Sequence, residues 1–371
     1  MKILVINWQD IKNPFGGGAE VHMHEIFKRI AAKGHSVTIF ACEIEGEPLE
    51  EVIDGIRIIR KGKRNTFNFI VPTLYKHRFA KENYDVIVDN INKIPFYTPL
   101  YIDKPLLAIS HHFFGSSIFK EVGFIAGLYV WLSEKFIDIF YKHTDIAVVS
   151  QSTLDEFLQR GFNPKRFTIV QNAITQSEYP MKVGTKKANK TITFFGRLKK
   201  YKSPDHLFKA FAMLKDDFPD AKLEIIGRGD FKPNLEALAK RLKIQDRVVF
   251  HGFVDDAKKI EILSYSHIAV NTSIKEGWGI TNIEANACGT PVVCANSPGL
   301  RDSVKDGLSG VLYEYGNIKQ LAQVMREILS DNQKNEMLCK GAVQWAELFS
   351  WDNSADLMIE LLNKVAKQDT F

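Results

Sequence analysis

The sequence predicts an α/β chain of two domains, each a parallel sheet clothed by helices. Three observations lead there. Its 371 residues exceed what one core ordinarily organises, and a 45% apolar content supplies material for two. Short apolar strands alternate with helix-period segments along the chain, with no internal repeat of solenoid length. Several strands end at a glycine-bearing loop and pass into a helix. That is the βαβ arrangement in which a helix N-terminus faces the crevice above the strand ends.

The first such unit opens the chain. Lys2-Ile-Leu-Val-Ile-Asn7 reads as a strand, Pro14 and Gly16-Gly17-Gly18 as a loop, about Ala19 to Lys33 as a helix closed by Gly34, and Ser36 to Ala41 as the next strand. Gly17 and Gly18, with Gly16, let the backbone approach a ligand where no side chain would fit. The spacing is neither Gly-x-Gly-x-x-Gly nor Gly-x4-Gly-Lys-Ser/Thr, which argues against a nicotinamide dinucleotide site and a P-loop. His22 and His24 sit two apart on the helix, point to different faces, and make poor metal ligands.

Ile56–Lys81 carries eight Lys/Arg and no acid, interleaved with Phe67, Phe69, Tyr75 and Phe79. Basic plus aromatic suits an anionic membrane surface, with a solvated face as the plain alternative. Nucleic acid is not expected, because no known module is present. Leu106 to Ser110 is a strand ending at His111 and His112. Phe113, Phe114 and the uncharged stretch Val122–Leu132 fit either the membrane reading or the N-terminal core.

Residues 176–190 are Lys-rich and lose apolar periodicity, so the predicted domains are 1–175 and 176–350. A final helix, about 351–371, carries Ala355, Met358, Leu361, Leu362 and Val365 at helical spacing. Strand Thr191–Phe195 ends in Gly196, after which Arg197 and Lys202 project toward the crevice. Arginine offers a planar fork for phosphate oxygens and lysine a mobile point charge. Lys199 and Lys200 read as solvated. Lys222–Ile226 ends in Gly227-Arg-Gly229, a further strand-to-helix turn.

The densest signal is Glu276-Gly-Trp-Gly-Ile280 followed by Thr281 and Glu284, between strands at His267–Asn271 and Pro291–Cys294. Backbone N–H groups of Gly277, Trp278, Gly279 and Ile280, with the helix dipole behind them, suit a diphosphate. Glu276 would stand at the loop's mouth and Glu284 one turn inside the helix. The bland alternative is a capping box of Thr281 with Glu284.

Four cysteines without Cys-x-x-Cys pairing read as buried thiols of a reducing compartment. No signal peptide is visible, and Val122–Leu132 is too short to span a bilayer. The expected location is cytoplasmic, or peripheral on the inner face of the membrane.

Together these residues resemble the retaining glycosyltransferases of group 1, whose fold is GT-B: two Rossmann-like domains with parallel sheets facing an interdomain cleft. The motifs that carry the resemblance are the first glycine loop, the histidine pair, Gly196-Arg-Leu with Lys202, Gly227-x-Gly229, Val248–Val254, the Glu276-x7-Glu284 block with its Gly-Thr-Pro tail, and Phe349-Ser-Trp351-Asp. The resemblance implies an N-terminal acceptor domain, a C-terminal nucleotide-sugar domain and a last helix that crosses back to the N-terminal one. It implies transfer of a hexosyl group from a UDP- or GDP-sugar to an acceptor hydroxyl with retention, in cell-surface glycan or glycolipid synthesis, on a lipid-linked or glycan acceptor. By resemblance His111 contacts the donor sugar, with His112 its competitor. We read Glu276 as touching the sugar and Glu284 the ribose. Asn172-Ala-Ile-Thr175 and Asp302 depart from the common pattern.

No Asp-x-Asp occurs, so no metal ligand and no cofactor is expected, and Arg197, Lys202 and the loop N–H groups must neutralise the diphosphate. A sugar-nucleotide epimerase or a non-catalytic nucleotide-sugar binder would share much of this pattern. A nicotinamide oxidoreductase would not.

Overall fold

The computed structural model describes residues 1–91, 93–120 and 122–368. They form two compact units: Met1–Asn172 with the segment from Trp351 onward, and Ala173–Ser350.

The first unit is built on eight strands: β1 (Lys2–Ile6), β2 (Ser36–Ala41), β3 (Glu50–Ile53), β4 (Ile56–Arg60), β5 (Val86–Ile91), β6 (Leu106–Ser110), β7 (Asp145–Val148) and β8 (Phe167–Ile169). Their order is β3-β4-β2-β1-β5-β6-β7-β8. Every pair is parallel except the antiparallel β3 and β4. Successive apolar residues, such as Ile3, Leu4, Val5 and Ile6, are all fully buried because both faces of a parallel sheet are covered. The helices are α1 (Gly18–Ala32), α2 (Phe67–His77), α3 (Phe124–Phe140) and α4 (Gln151–Gln159).

Residues 56–81 do not form the basic-aromatic surface expected from their composition. Phe67, Tyr75 and Phe79 pack into the core with Phe40 and Ile59, and only Phe69 of the four aromatics stays exposed. Acids from outside the segment neutralise three of its cations. Arg60 is buried, with Nε and one terminal nitrogen on Asp10 at 2.6 and 3.0 Å and the other on Glu51 at 2.5 Å. Arg57 meets Glu50 and Glu82, and Arg78 meets Glu50. Breaking a buried pair such as Arg60–Asp10 costs about 3–5 kcal/mol, so Arg60 serves the fold and not a docking face.

Asp89 on β5 is fully buried, and its Oδ2 accepts from Thr98 Oγ1 at 2.5 Å and Tyr141 Oη at 2.6 Å. Burial outweighs those donors and pushes its carboxyl up to about 6. The folded state therefore holds this proton more tightly than the unfolded chain does. The contribution to stability is complete below about pH 4 and is lost as pH rises through about 6. Asp89→Asn should accordingly gain on the parent by about 3 kcal/mol between pH 4 and 7. Denaturant unfolding at several pH values measures this, and a pH-independent difference refutes it.

The second unit has six strands: β9 (Thr191–Phe195), β10 (Lys222–Ile226), β11 (Val248–Gly252), β12 (Ile268–Asn271), β13 (Val292–Ala295) and β14 (Gly310–Tyr313). All are parallel, in the order β11-β10-β9-β12-β13-β14. The helices are α5 (Pro204–Ala212), α6 (Lys232–Arg241), α7 (Asp256–Tyr265), α8 (Ile280–Ala287), α9 (Ile318–Ser330) and α10 (Asn332–Ala346). Strand order reverses between β9 and β12, the position where ligands bind outside the carboxyl ends of open α/β sheets.

The Lys-rich residues 176–190 are not a free linker. Burial lowers the pKa of Lys186, whose Nζ donates to Ser264 O, Gly289 O and Thr290 Oγ1 at 2.9–3.1 Å. The Met181 N–H donates to Ala287 O. These bonds lay the segment against the second unit, whose first residue is Ala173.

The last helix, α11 (Trp351–Gln368), belongs to the first unit. It buries Ala355, Met358 and Leu362, and Asp352 accepts from Arg29 Nε of α1 at 3.0 Å. No helix among the described residues is long and apolar enough to cross a membrane.

Candidate active site

In the second unit three strand-end loops are laced together by main chain. The Gly196 N–H donates to Ile226 O (3.0 Å), Leu198 N–H to Arg228 O (2.9 Å) and Gly227 N–H to Gly252 O (2.7 Å). The approach is so close that a Cβ on Gly227, at φ +132°, would lie 2.0 Å from Gly196 O. Gly229 is equally constrained, 2.1 Å from Leu198 O. Leu198 is fully buried and anchors the first loop, leaving Arg197 before it turned out to solvent. Its guanidinium has no ion pair or hydrogen bond among the described residues.

Lys202 ends the turn that follows, and its Nζ lies 2.5 Å from Glu276 Oε1. Lys202 thus rests on the carboxylate of the neighbouring loop. The two loops are tied by Ile274 N–H to Tyr201 O (3.1 Å) and Thr272 Oγ1 to Lys202 O (2.8 Å). They flank the β9–β12 switch point from either side.

Glu276 is fixed by its own N–H, which donates to Pro298 O at 3.1 Å. Gly299, at φ +78°, lets that backbone come so near that a Cβ would sit 2.0 Å from Glu276 O. Beneath the loop runs a buried polar chain. Ser273 Oγ donates to Asn271 Oδ1 (3.1 Å), Asn271 Nδ2 to Asn282 Oδ1 (3.0 Å) and Asn282 Nδ2 to Ser303 Oγ (2.9 Å). Gly279 passes over it where a Cβ would be 2.3 Å from Ser303 Oγ.

At the start of α8 the N–H groups of Gly277, Trp278 and Gly279 have no acceptor among the described residues, which suits an anion at a helix N-terminus. One expectation for this loop is corrected. The Ile280 N–H is already given to Trp278 O at 3.1 Å, because the chain turns tightly into the helix. The Trp278 indole is buried against Phe349, ring centroids 5.0 Å apart, so this side chain anchors the loop and faces the core.

Glu284 lies inside α8 as expected, but no capping box forms. The helix N-cap is Gly279, and Glu284 Oε1 instead accepts from Tyr179 Oη at 2.6 Å and Lys259 Nζ at 2.8 Å. Lys259 on α7 is buried. Burial acts to lower its pKa, and the Glu284 and Asp256 carboxylates outweigh that and raise it.

In the first unit His111 follows β6 and is buried, with its Nε2 unpartnered. Thr153 Oγ1 holds its carbonyl at 2.9 Å, and the His22 ring stands edge-on at 5.2 Å. Burial, reinforced by His22 and His112, holds the His111 pKa well below the ordinary histidine value, so the ring is neutral. His112 is half-buried and packs on Phe114 at 4.6 Å. Gly18 opens α1 with nothing within 4 Å of where a Cβ would be. The Gly17 N–H is taken by Glu20 Oε2 at 2.7 Å, a carboxylate satisfying this helix N-terminus.

Comparison with known proteins matches this layout. The family Glycosyl transferases group 1 covers residues 175–345, and Glycosyltransferase Family 4 covers residues 16–178. The chain is similar to the group 1 glycosyltransferases over residues 175–345. An uncharacterized glycosyltransferase of Methanocaldococcus jannaschii is 26% identical over 377 residues, covering 96% of each chain. Sucrose-phosphate synthase from Thermosynechococcus elongatus superposes with a TM-score of 0.80 at 20% identity, over 99% of this chain and 100% of that one. Anabaena HepE, solved in complex with UDP and glucose, gives 0.75 at 20% identity over 98% and 100%. The fold is GT-B, two parallel-sheet α/β units of eight and six strands.

Sequence reading of this chain missed the Asn271–Asn282–Ser303 chain, Gly299, and the Lys259 and Tyr179 partners of Glu284. A signal for the first existed: an asparagine closing an apolar strand needs a buried partner. The others depend on contacts distant in sequence.

Proposed function

We propose that this chain moves a hexosyl group from a UDP- or GDP-sugar to an acceptor hydroxyl, with retention and without a metal ion. The acceptor would be a lipid-linked or glycan hydroxyl of cell-surface glycan or glycolipid synthesis, met at the inner face of the membrane. One observation carries this reading. N–H groups of Gly277, Trp278 and Gly279 with no acceptor among the described residues open a helix at the switch point, with Arg197, unpaired among the same residues, and the Lys202–Glu276 pair beside them. HepE, whose fold this chain shares, was solved with UDP and glucose, which supports a nucleotide-sugar donor.

On this reading the diphosphate draws Lys202 away from Glu276, and Arg197 and the loop N–H groups share its charge. The freed Glu276 carboxylate accepts from sugar hydroxyls. Glu284, braced by Lys259 and Tyr179, serves the ribose through its second oxygen. As the bond from the anomeric carbon to the diphosphate breaks, its electron pair stays on the phosphate oxygen, where the cations are. The acceptor oxygen bonds to the same face of the sugar and its proton passes to the departing diphosphate. We assign neutral His111 to the donor sugar, as a hydrogen-bonding group at its unpartnered Nε2.

Incubation with a panel of UDP- and GDP-sugars tests this. Slow release of free nucleoside diphosphate from one donor, without added metal, is the expected result. A new nucleotide sugar would indicate an epimerase, and binding without turnover a non-catalytic subunit. Either would overturn the proposal.

A further inference from the structure

Helix α3 carries more apolar surface than its packing uses. Its inner stripe, Gly127, Val130, Ser133, Glu134 and Ile137, is buried. The opposite stripe is open: Phe124 is 73% exposed, Ile125 85% and Ile139 63%, with Leu128, Tyr129, Leu132 and Phe136 between them also exposed. Their spacing of one, three and four residues places them on one helical face about 22 Å long. Phe119, exposed and 5.6 Å from the Phe124 ring, extends the patch beyond the helix start.

Charge on this helix is sorted. Glu134 is turned inward, its oxygens accepting from the Phe114 and Gly115 N–H groups at 2.5 and 2.8 Å. Asp138 is held by Arg160 Nε at 2.6 Å. What remains on the outside is cationic: exposed Lys135, its ammonium 5.4 Å from the Trp131 ring centroid, then exposed Lys142 just past the helix end. An apolar face with tyrosine and tryptophan at its flank, lysines outside and acids withdrawn fits an interface between acyl chains and anionic headgroups. A patch of this extent is rare on a monomer without a partner.

We propose that the outer face of α3 lies in the plane of an anionic lipid surface, with Phe124, Ile125, Phe136 and Ile139 entering the acyl boundary and Lys135 and Lys142 meeting phosphate headgroups. This deepens the reading of a membrane-borne acceptor and rests on it, and it relocates the lipid contact from residues 56–81 to α3.

The experiment is co-sedimentation of the full chain with vesicles of phosphatidylcholine alone and of equal parts phosphatidylcholine and phosphatidylglycerol, without donor or acceptor. Its failure is thus separate from any failure of transferase activity. Binding should favour the anionic vesicles and weaken with salt. Phe124→Ser with Ile125→Ser, Phe136→Ser and Ile139→Ser should lower it by roughly ten-fold or more, while a thermal melt reports an intact fold. Lys135→Glu with Lys142→Glu should abolish the preference for phosphatidylglycerol, and reversal of exposed Lys61, Lys63 and Arg64 should leave binding unchanged. Brominated lipid should quench tryptophan emission in the parent and not in Trp131→Phe. No binding to anionic vesicles at low salt would overturn the proposal. So would binding that survives the four serine substitutions, or a soluble dimer that those substitutions dissociate, since the occupant would then be a second copy.

Discussion

Glu276→Ala should lower kcat by more than about a hundred-fold while nucleoside diphosphate binding survives. The carboxylate stands at the mouth of the α8 loop and holds Lys202 at 2.5 Å. Removing it leaves the loop in place, because its backbone is fixed by Pro298 and Gly299. Lys202 then becomes free for the diphosphate, so nucleotide affinity should hold or rise as turnover fails. Glu284→Ala should act differently. It takes one acceptor from Lys259 and Tyr179, costing about 1–3 kcal/mol of stability, and raises KM for the donor about ten-fold. Steady-state kinetics beside calorimetric titration of the nucleoside diphosphate separate the two. If Glu276→Ala weakens nucleotide binding as much as turnover, Glu276 is a structural partner of Lys202 and the assignment is wrong.

Arg197→Ala and Lys202→Ala should each reduce kcat/KM by about 2–4 kcal/mol of transition-state stabilisation, with activity indifferent to chelators. Arg197 has the simpler expectation, since its guanidinium has no ion pair or hydrogen bond among the described residues. Lys202→Ala also leaves Glu276 without its cation, so a repelled donor should raise KM as well as lower kcat. Arg197→Lys should recover only part of the loss, because a point charge does not reproduce the fork. Full dependence on added Mg²⁺ or Mn²⁺ would sink the idea that these cations carry the diphosphate charge.

The strand-end glycines, Arg197, Lys202 and the Glu276 loop were legible in sequence because each belongs to a local motif: an apolar run, a glycine, then a charge. What lay outside sequence reading was the direction a side chain takes. Trp278 between two glycines looks the same whether it meets a ligand or the core, and only Phe349 decides. Ile280 was offered as a donor because a helix N-terminus has free N–H groups, but which of them a tight turn consumes is set by geometry. At residues 56–81 the inward turn of the aromatics was legible. Phe67, Val71, Tyr75 and Phe79 recur every four residues, a core-facing stripe that charge counting obscured, and the acids that neutralise Arg57, Arg60 and Arg78 come from elsewhere in the chain. The open face of α3 was hinted at by an uncharged stretch, yet sequence alone could not separate a helix buried all round from one apolar on two sides.

The lacing of the loops after β9, β10 and β11 bears on how this protein can change. Their spacing is written in carbonyl-to-amide bonds and in glycines that admit no Cβ, with buried Leu198 as the side-chain anchor of the first loop. Residues such as Arg228 and Phe253, which stack at 5.6 Å on that rim, can be exchanged without moving the scaffold beneath them. Substitutions at Gly227 or Gly229 would have to rebuild it. On the proposed function, donor preference is open to retuning one residue at a time, while the frame proposed to hold the phosphates is closed to gradual drift.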